Sequence, residues 1–231
     1  NQNPNATGSV SLLGVDMSSN SPSSSPKDWI GAINVTEVPV SGGLLTNSVI
    51  SFNANGAFDA NSTSWDTCVM IMYSVARKAT ERGQDDSGDC SATLGAQCKA
   101  DWIAKDQHRS CKLIERVLSF SIAQVSSTNA PITITSKYTM GSAWWYATES
   151  PPPHEASNFT AYERAATRIW PVLLIQSNNE TKTYSTQMNC LRAKNAAQGS
   201  HEIGDVPGAG TRVGGVWWSL MVVFAVMGFL I

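Results

Sequence analysis

Hydrophobic and polar positions alternate along the front quarter of the chain. Val10 to Val15, reading VSLLGV, has the pattern of a strand. Trp29 to Val40, with Ile33, Val35, Val38 and Val40, and Leu44 to Phe58, with Val49, Ile50 and Phe52, predict two more, set off by turns at Gly42-Gly43 and Asn55-Gly56. From Trp65 the spacing changes. Cys68, Met72, Val75, Ala76 and Ala79 recur at helical intervals, and Gly83 marks a stop. A second helix from about Ser91 places Leu94, Cys98 and Trp102 on one face, and a third over about Cys111 to Val125 carries Ile114, Leu118 and Ile122. Extended structure resumes at Pro131 to Thr135 and runs toward Trp144, Trp145 and Tyr146. Ser150 to Ser157, with three successive prolines, reads as a loop, followed by a short helix near Ala161 to Thr167. Ile169 to Gln176 and Thr183 to Leu191 then form a strand pair across the polar turn Ser177 to Glu180, with Pro171 at the start or edge because it lacks an N–H for the ladder.

The two changes of period predict an α+β fold: a disulfide-stapled helical module packed on a small antiparallel sheet, plus a C-terminal hydrophobic tail. The expected organisation is a flexible segment over 1–9, an extracellular α+β domain over 10–193, a polar spacer with the anchor site over 194–212, and the tail over 213–231. Val213 to Ile231 is uncharged. As a helix its 19 residues would span roughly 28 Å, enough to cross the hydrocarbon core of a bilayer. No Lys or Arg follows it, so a glycolipid (GPI) attachment signal is favoured over a retained transmembrane helix. Small residues that could accept the anchor recur between Asn195 and Gly210, with Asn195 and Gly208 as the candidate sites. A signal of this kind implies a secretory leader upstream of Asn1.

Composition sharpens this picture. Only 15% of residues are charged and the formal net charge is −2, so the chain carries no electrostatic footprint for nucleic acid. Ser and Thr number 47, about a fifth of the chain, as in secreted proteins that carry sugars. Met17 to Lys27 is a Ser/Pro-rich loop suited to O-linked sugar. N-glycosylation sequons occur at Asn5, Asn34, Asn61, Asn158 and Asn179. The five cysteines, Cys68, Cys90, Cys98, Cys111 and Cys190, include no C-x-x-C pair, so disulfides tying together residues 68 to 111 are expected rather than a metal site. Five is odd, which leaves one thiol without a partner in this chain.

Catalytic signatures are missing. There is no G-x-S-x-G elbow and no glycine-rich phosphate loop. His154 follows three prolines, His201 lies in the spacer, and His108 ends the second helix, so none reads as a proton-transfer residue. Asp85, Asp86, Ser87 and Asp89 lack the EF-hand glycine position and read as a polar turn capping the second helix. Among carboxylates that a glycosidase would need in pairs, Asp59, Asp66, Glu115, Glu149 and Glu163 are available, with nothing in the spacing to tie two together. Trp144 and Tyr146 share a strand face and could form a platform for a sugar ring.

Trp65-x-x-Cys68, Asp89-Cys90-Ser91 with Leu94-Gly95-x-x-Cys98, Trp170-Pro171-Val172 and Asn189-Cys190-Leu191-Arg192 resemble motifs of secreted or GPI-anchored surface proteins of filamentous fungi, over about residues 45 to 200. The resemblance implies a compartment and an anchor, not a chemistry. The sequence therefore predicts a cell-surface glycoprotein with a non-catalytic structural or adhesive role at the cell wall, without cofactor or metal. A wall-polysaccharide-binding module and a glycan-modifying enzyme are the alternatives.

Overall fold

A computed structural model describes residues 3–15, 26–55, 65–72, 75–106, 132–135, 143–178 and 180–207. The order is β1 (Ala6–Val15), β2 (Pro26–Val40), β3 (Gly43–Asn53), β4 (Trp65–Ile71), α1 (Arg77–Gly83), α2 (Ser91–Leu94), α3 (Ala96–Asp106), β5 (Ile132–Thr135), β6 (Ala143–His154), α4 (Thr160–Ala166), β7 (Trp170–Asn178), β8 (Thr183–Leu191) and β9 (Asn195–Ala196). The strands form two antiparallel sheets, ordered β6-β3-β2-β1-β9 and β5-β4-β7-β8. The body is mixed but mostly sheet.

In the five-stranded sheet, alternation decides which face is buried. Trp29, Ile33 and Val35 on β2 and Ile50 and Phe52 on β3 are fully buried, while Asp28 and Ile30 are exposed. These inward residues share one core with Val69 and Ile71 of β4 and Val172 and Leu174 of β7, so the two sheets close on each other. The opposite face of the four-stranded sheet is buried as well. Met70, Leu173, Ile175 and Met188 form a second cluster against Val75, Leu94, Trp102 and Ile103 from the helical segment. Burial on both faces explains why β7 reads as an unbroken apolar run.

That layering also corrects the expected helix at residue 65. Trp65–Ile71 is a strand, because its apolar run serves both faces of a sheet and Thr67, Val69 and Ile71 are β-branched. Helix starts only at Arg77. The second helix is broken at Gly95, whose φ of +84° ends α2; Leu94 of α2 and Trp102 of the restarted α3 pack inward, while Cys98 is exposed. Among the described residues the helices are few and short and cover a body that is mostly sheet; the helix expected over 111–125 lies outside them.

Three further boundaries differ from the sequence pattern. β1 begins at Ala6, fully buried, inside the stretch expected to be flexible over 1–9. The prolines at 151–153 belong to β6 rather than a loop, since β6 is an edge strand and the ladder to β3 shifts register there, where missing N–H donors leave nothing unpaired. The segment expected to be a free spacer from 194 pairs with β1 as β9, through Ala6↔Ala196 and Thr7↔Asn195.

The outer edge of β1 is held against the end of β8. A Cβ at Gly8 would come within 1.8 Å of the Arg192 carbonyl oxygen, so only glycine permits this approach. Beside it, Cys90 and Cys190 form a disulfide across 100 positions of sequence. This bridge runs from the helical layer to the far end of the chain; Cys98 is a free thiol, and the Cys68 side chain and Cys111 lie outside what the structure describes.

Candidate functional site

The residues following β9 cross back over the molecule and meet β2, β3, β6 and α4 in a polar joint. Asn5 is its hinge: its Oδ1 accepts the Glu37 N–H at 2.7 Å and its Nδ2 donates to Ser200 Oγ at 3.3 Å. The Tyr162 hydroxyl donates to the His201 carbonyl at 2.8 Å. The His201 ring stacks on Phe159, with centroids 3.9 Å apart and planes 6° from parallel, and its Nε2 lies 3.2 Å from Glu163 Oε1. On the other side, His154 Nδ1 donates to the Glu155 carbonyl at 3.1 Å, which leaves Nε2 facing Thr46 Oγ1 at 3.1 Å and Glu37 Oε1 at 3.6 Å.

Electrostatics here follow from burial. The Glu37 and His154 side chains are 13% and 8% exposed. Desolvation pushes the Glu37 carboxyl above its ordinary range, and the nearby His154 and His201 rings pull it part of the way back. Burial, and secondarily the Glu37 carboxylate, also raises the Tyr162 phenol. The joint can hold a proton on Glu37, but it is a packed tie rather than an open reaction site.

Next to it lies a cleft of about 410 Å³, bounded by Glu81 and Gln84 at the end of α1, by Arg192 and Lys194, and by Ile203 to Val206. Cleft and joint touch at Gly204, where a Cβ would stand 3.4 Å from Glu163 Oε1. Arg192 Nη1 donates to the Ala193 carbonyl at 3.4 Å, whereas its Nε is buried without a hydrogen-bond partner among the described residues. Burial lowers the affinity of this guanidinium for its proton, and the charges of Asp85 and Asp86 partly restore it.

The acidic turn before α2 is a structural centre. Asp86 is 3% exposed; its Oδ1 accepts from the N–H groups of Gly88 and Cys90, and its Oδ2 from the N–H and hydroxyl of Thr93. Burial alone would raise its pKa, but these four bonds outweigh it and hold the carboxyl below the ordinary range. Hydrogen bonds from Ser91, with Lys99 adding to them, pull Asp89 down to about 2. Among the described residues no cluster of His, Cys, Asp and Glu has the arrangement of a metal site.

The sequence-predicted residues are scattered over this framework. Asn158 is exposed in the turn before α4, and Asn34 is half-buried on β2, on the face away from the core. The Asn5 amide is engaged in the joint, while Asn61 and Asn179 lie outside the described residues. Trp144 and Tyr146 stand opposite Phe52 and Ile50 in the β3–β6 ladder, two positions whose side chains are in the core. Asn195 is exposed within β9; Gly208, Cys111 and the apolar tail lie outside the described residues. Among those described, no helix is long and apolar enough to cross a membrane. Cys98 is an exposed free thiol and Cys68 sits on β4 opposite Thr135.

Sequence reasoning missed Glu37, His154, His201, Arg192 and Lys194 as a neighbourhood. The one available signal was Arg192 and Lys194 at alternate positions, since in an extended segment such residues point to the same side. Comparison with known protein families, with curated proteins and with solved structures finds no match to this chain.

Proposed function

We propose that this is a cell-surface glycoprotein with a structural or adhesive role at the cell wall, facing outward and held to the membrane by a glycolipid anchor for which the apolar run Val213 to Ile231 is the attachment signal. The observation that carries this reading is the Cys90–Cys190 bridge, a bond that persists in oxidising compartments and here joins two distant parts of the chain. The exposed sequon at Asn158 and the low charge support it. The anchor site falls toward the Gly208 end of the candidate window, because cleavage at Asn195 would remove His201 and Ile203, both packed on the domain. The cleft beside Arg192 favours polysaccharide binding over catalysis as the alternative role.

The test is sequencing of the mature C-terminal peptide by mass spectrometry, alongside phospholipase release from intact cells. A last peptide ending between Asn195 and Gly210, with release by phospholipase, is the expected result. Recovery of a peptide containing Trp217 and Trp218 from surface protein that resists release would overturn the lipid anchor, and an intracellular, unglycosylated protein would overturn the whole reading.

A further inference from the structure

We infer that the cleft between α1 and the segment after β9 binds an acidic saccharide, seating a uronate carboxylate on Arg192 and Lys194. Its volume of about 410 Å³ falls in the range of small-ligand sites, about 300–1,000 Å³. The lining decides the chemistry. Arg192 and Lys194 both line the cleft, which disfavours a metal cation; Glu81 and Asp205 line it as well and disfavour a bare polyanion.

A ligand matching this lining carries one negative charge surrounded by hydroxyl groups, as a hexuronate does. Its carboxylate would take the guanidinium of Arg192 and the ammonium of Lys194, both of which line the cleft. Its hydroxyls would donate to Glu81, Asp205 and the Gln84 carbonyl oxygen. That oxygen is presented by an amide whose Nε2 is already fixed on the Thr80 and Thr167 carbonyls at 3.0 and 2.8 Å. Ile203 and Val206 supply apolar surface for the C–H faces of the ring. The burial that costs the guanidinium its hydration is offset once an anion is bound.

The inference rests on the polysaccharide-binding alternative and not on the lipid anchor, so the two fail separately. Calorimetric titration of the full chain in nonionic detergent would use a linear tetramer of galacturonate, a neutral tetramer of galactose and inorganic phosphate as probes. The uronate tetramer is expected to bind at least about tenfold more tightly than the neutral one, and Arg192→Met to remove about that factor, the size of one charge-assisted contact. Lys194→Met is the second variant, because that side chain is exposed and its truncation leaves the fold intact; it should weaken uronate binding severalfold and reduce its salt dependence. Equal affinity for the neutral and acidic tetramers, no effect of Lys194→Met, or phosphate bound as tightly as uronate would overturn the proposal. Failure to bind by a protein that phospholipase releases from the cell surface would reject the cleft and leave the surface reading standing.

Discussion

Glu37 and Asp86 are both largely buried carboxylates, and their surroundings drive them in opposite directions. Asp86 is met by four donors, whereas Glu37 Oε1 has no hydrogen-bond partner among the described residues and a His154 nitrogen only at 3.6 Å. Because its pKa is raised on folding, Glu37 binds its proton more tightly in the native state; native stability therefore falls as pH rises from the ordinary carboxyl value of 4.5 through the folded value. Glu37→Gln is expected to raise the urea midpoint at neutral pH and to flatten that dependence, with the two proteins converging near pH 4. A lower midpoint for the variant at pH 7 would show that the carboxylate is stabilised there. Asp86 has the opposite sign: its contribution is complete above the ordinary value of 3.8 and is lost as pH falls through the depressed folded value. Asp86→Ala leaves buried N–H groups without acceptors and is expected to cost at least about 3 kcal/mol in urea unfolding at pH 7.

At the scale of elements, the contact between β1 and β8 joins the two sheets. Gly8 lets the chain after β8 approach, Val15 N–H reaches Gln176 Oε1 on the neighbouring β7 at 3.0 Å, and the disulfide fastens the loop before α2 to β8. That loop is strained at Cys90, a non-glycine residue with φ of +66°, held there by its N–H bond to Asp86. A bridge closing about 100 residues restricts the unfolded chain by up to about 4.7 kcal/mol on the entropic account, so replacing both Cys90 and Cys190 with Ala is expected to remove about 2–5 kcal/mol. Thermal unfolding of the double variant against the oxidised protein measures this. An unchanged midpoint would mean that the packing of β1 on β8 suffices by itself.

For the whole molecule, the segment after β9 ties the two ends of the described chain together. Ala197 N–H bonds the Asn5 carbonyl at 2.8 Å, Lys194 N–H bonds the Thr7 carbonyl at 2.8 Å, and Ile203 packs against the main core. Truncation before Asn195 is expected to lower stability by at least about 2 kcal/mol, since the buried Tyr162 hydroxyl loses its nearer acceptor, the His201 carbonyl, keeping only the Asn5 carbonyl at 3.5 Å, and Ile203 loses its contact with the core. Truncation after Pro207 breaks none of these contacts and is expected to leave the midpoint unchanged. Equal effects from both cuts, read by thermal unfolding, would contradict a structural role for this segment.

The sequence by itself determined the strands with one buried face and the β7–β8 pair, because strict alternation or a bounded apolar run between turns needs no partner to be recognised. It also determined the short helix at α4 and the capping role of the acidic turn. Tertiary structure decided the rest. Residues 65–71 became a strand because a sheet buried on both faces accepts an apolar run that also fits a helical period. The partner of Cys90, the edge position of three prolines, the meeting of Glu37 with His154 and the shared cleft of Arg192 and Glu81 join residues that are far apart in sequence. Local pattern reports which face of an element is apolar; it carries no information on which distant element will cover that face.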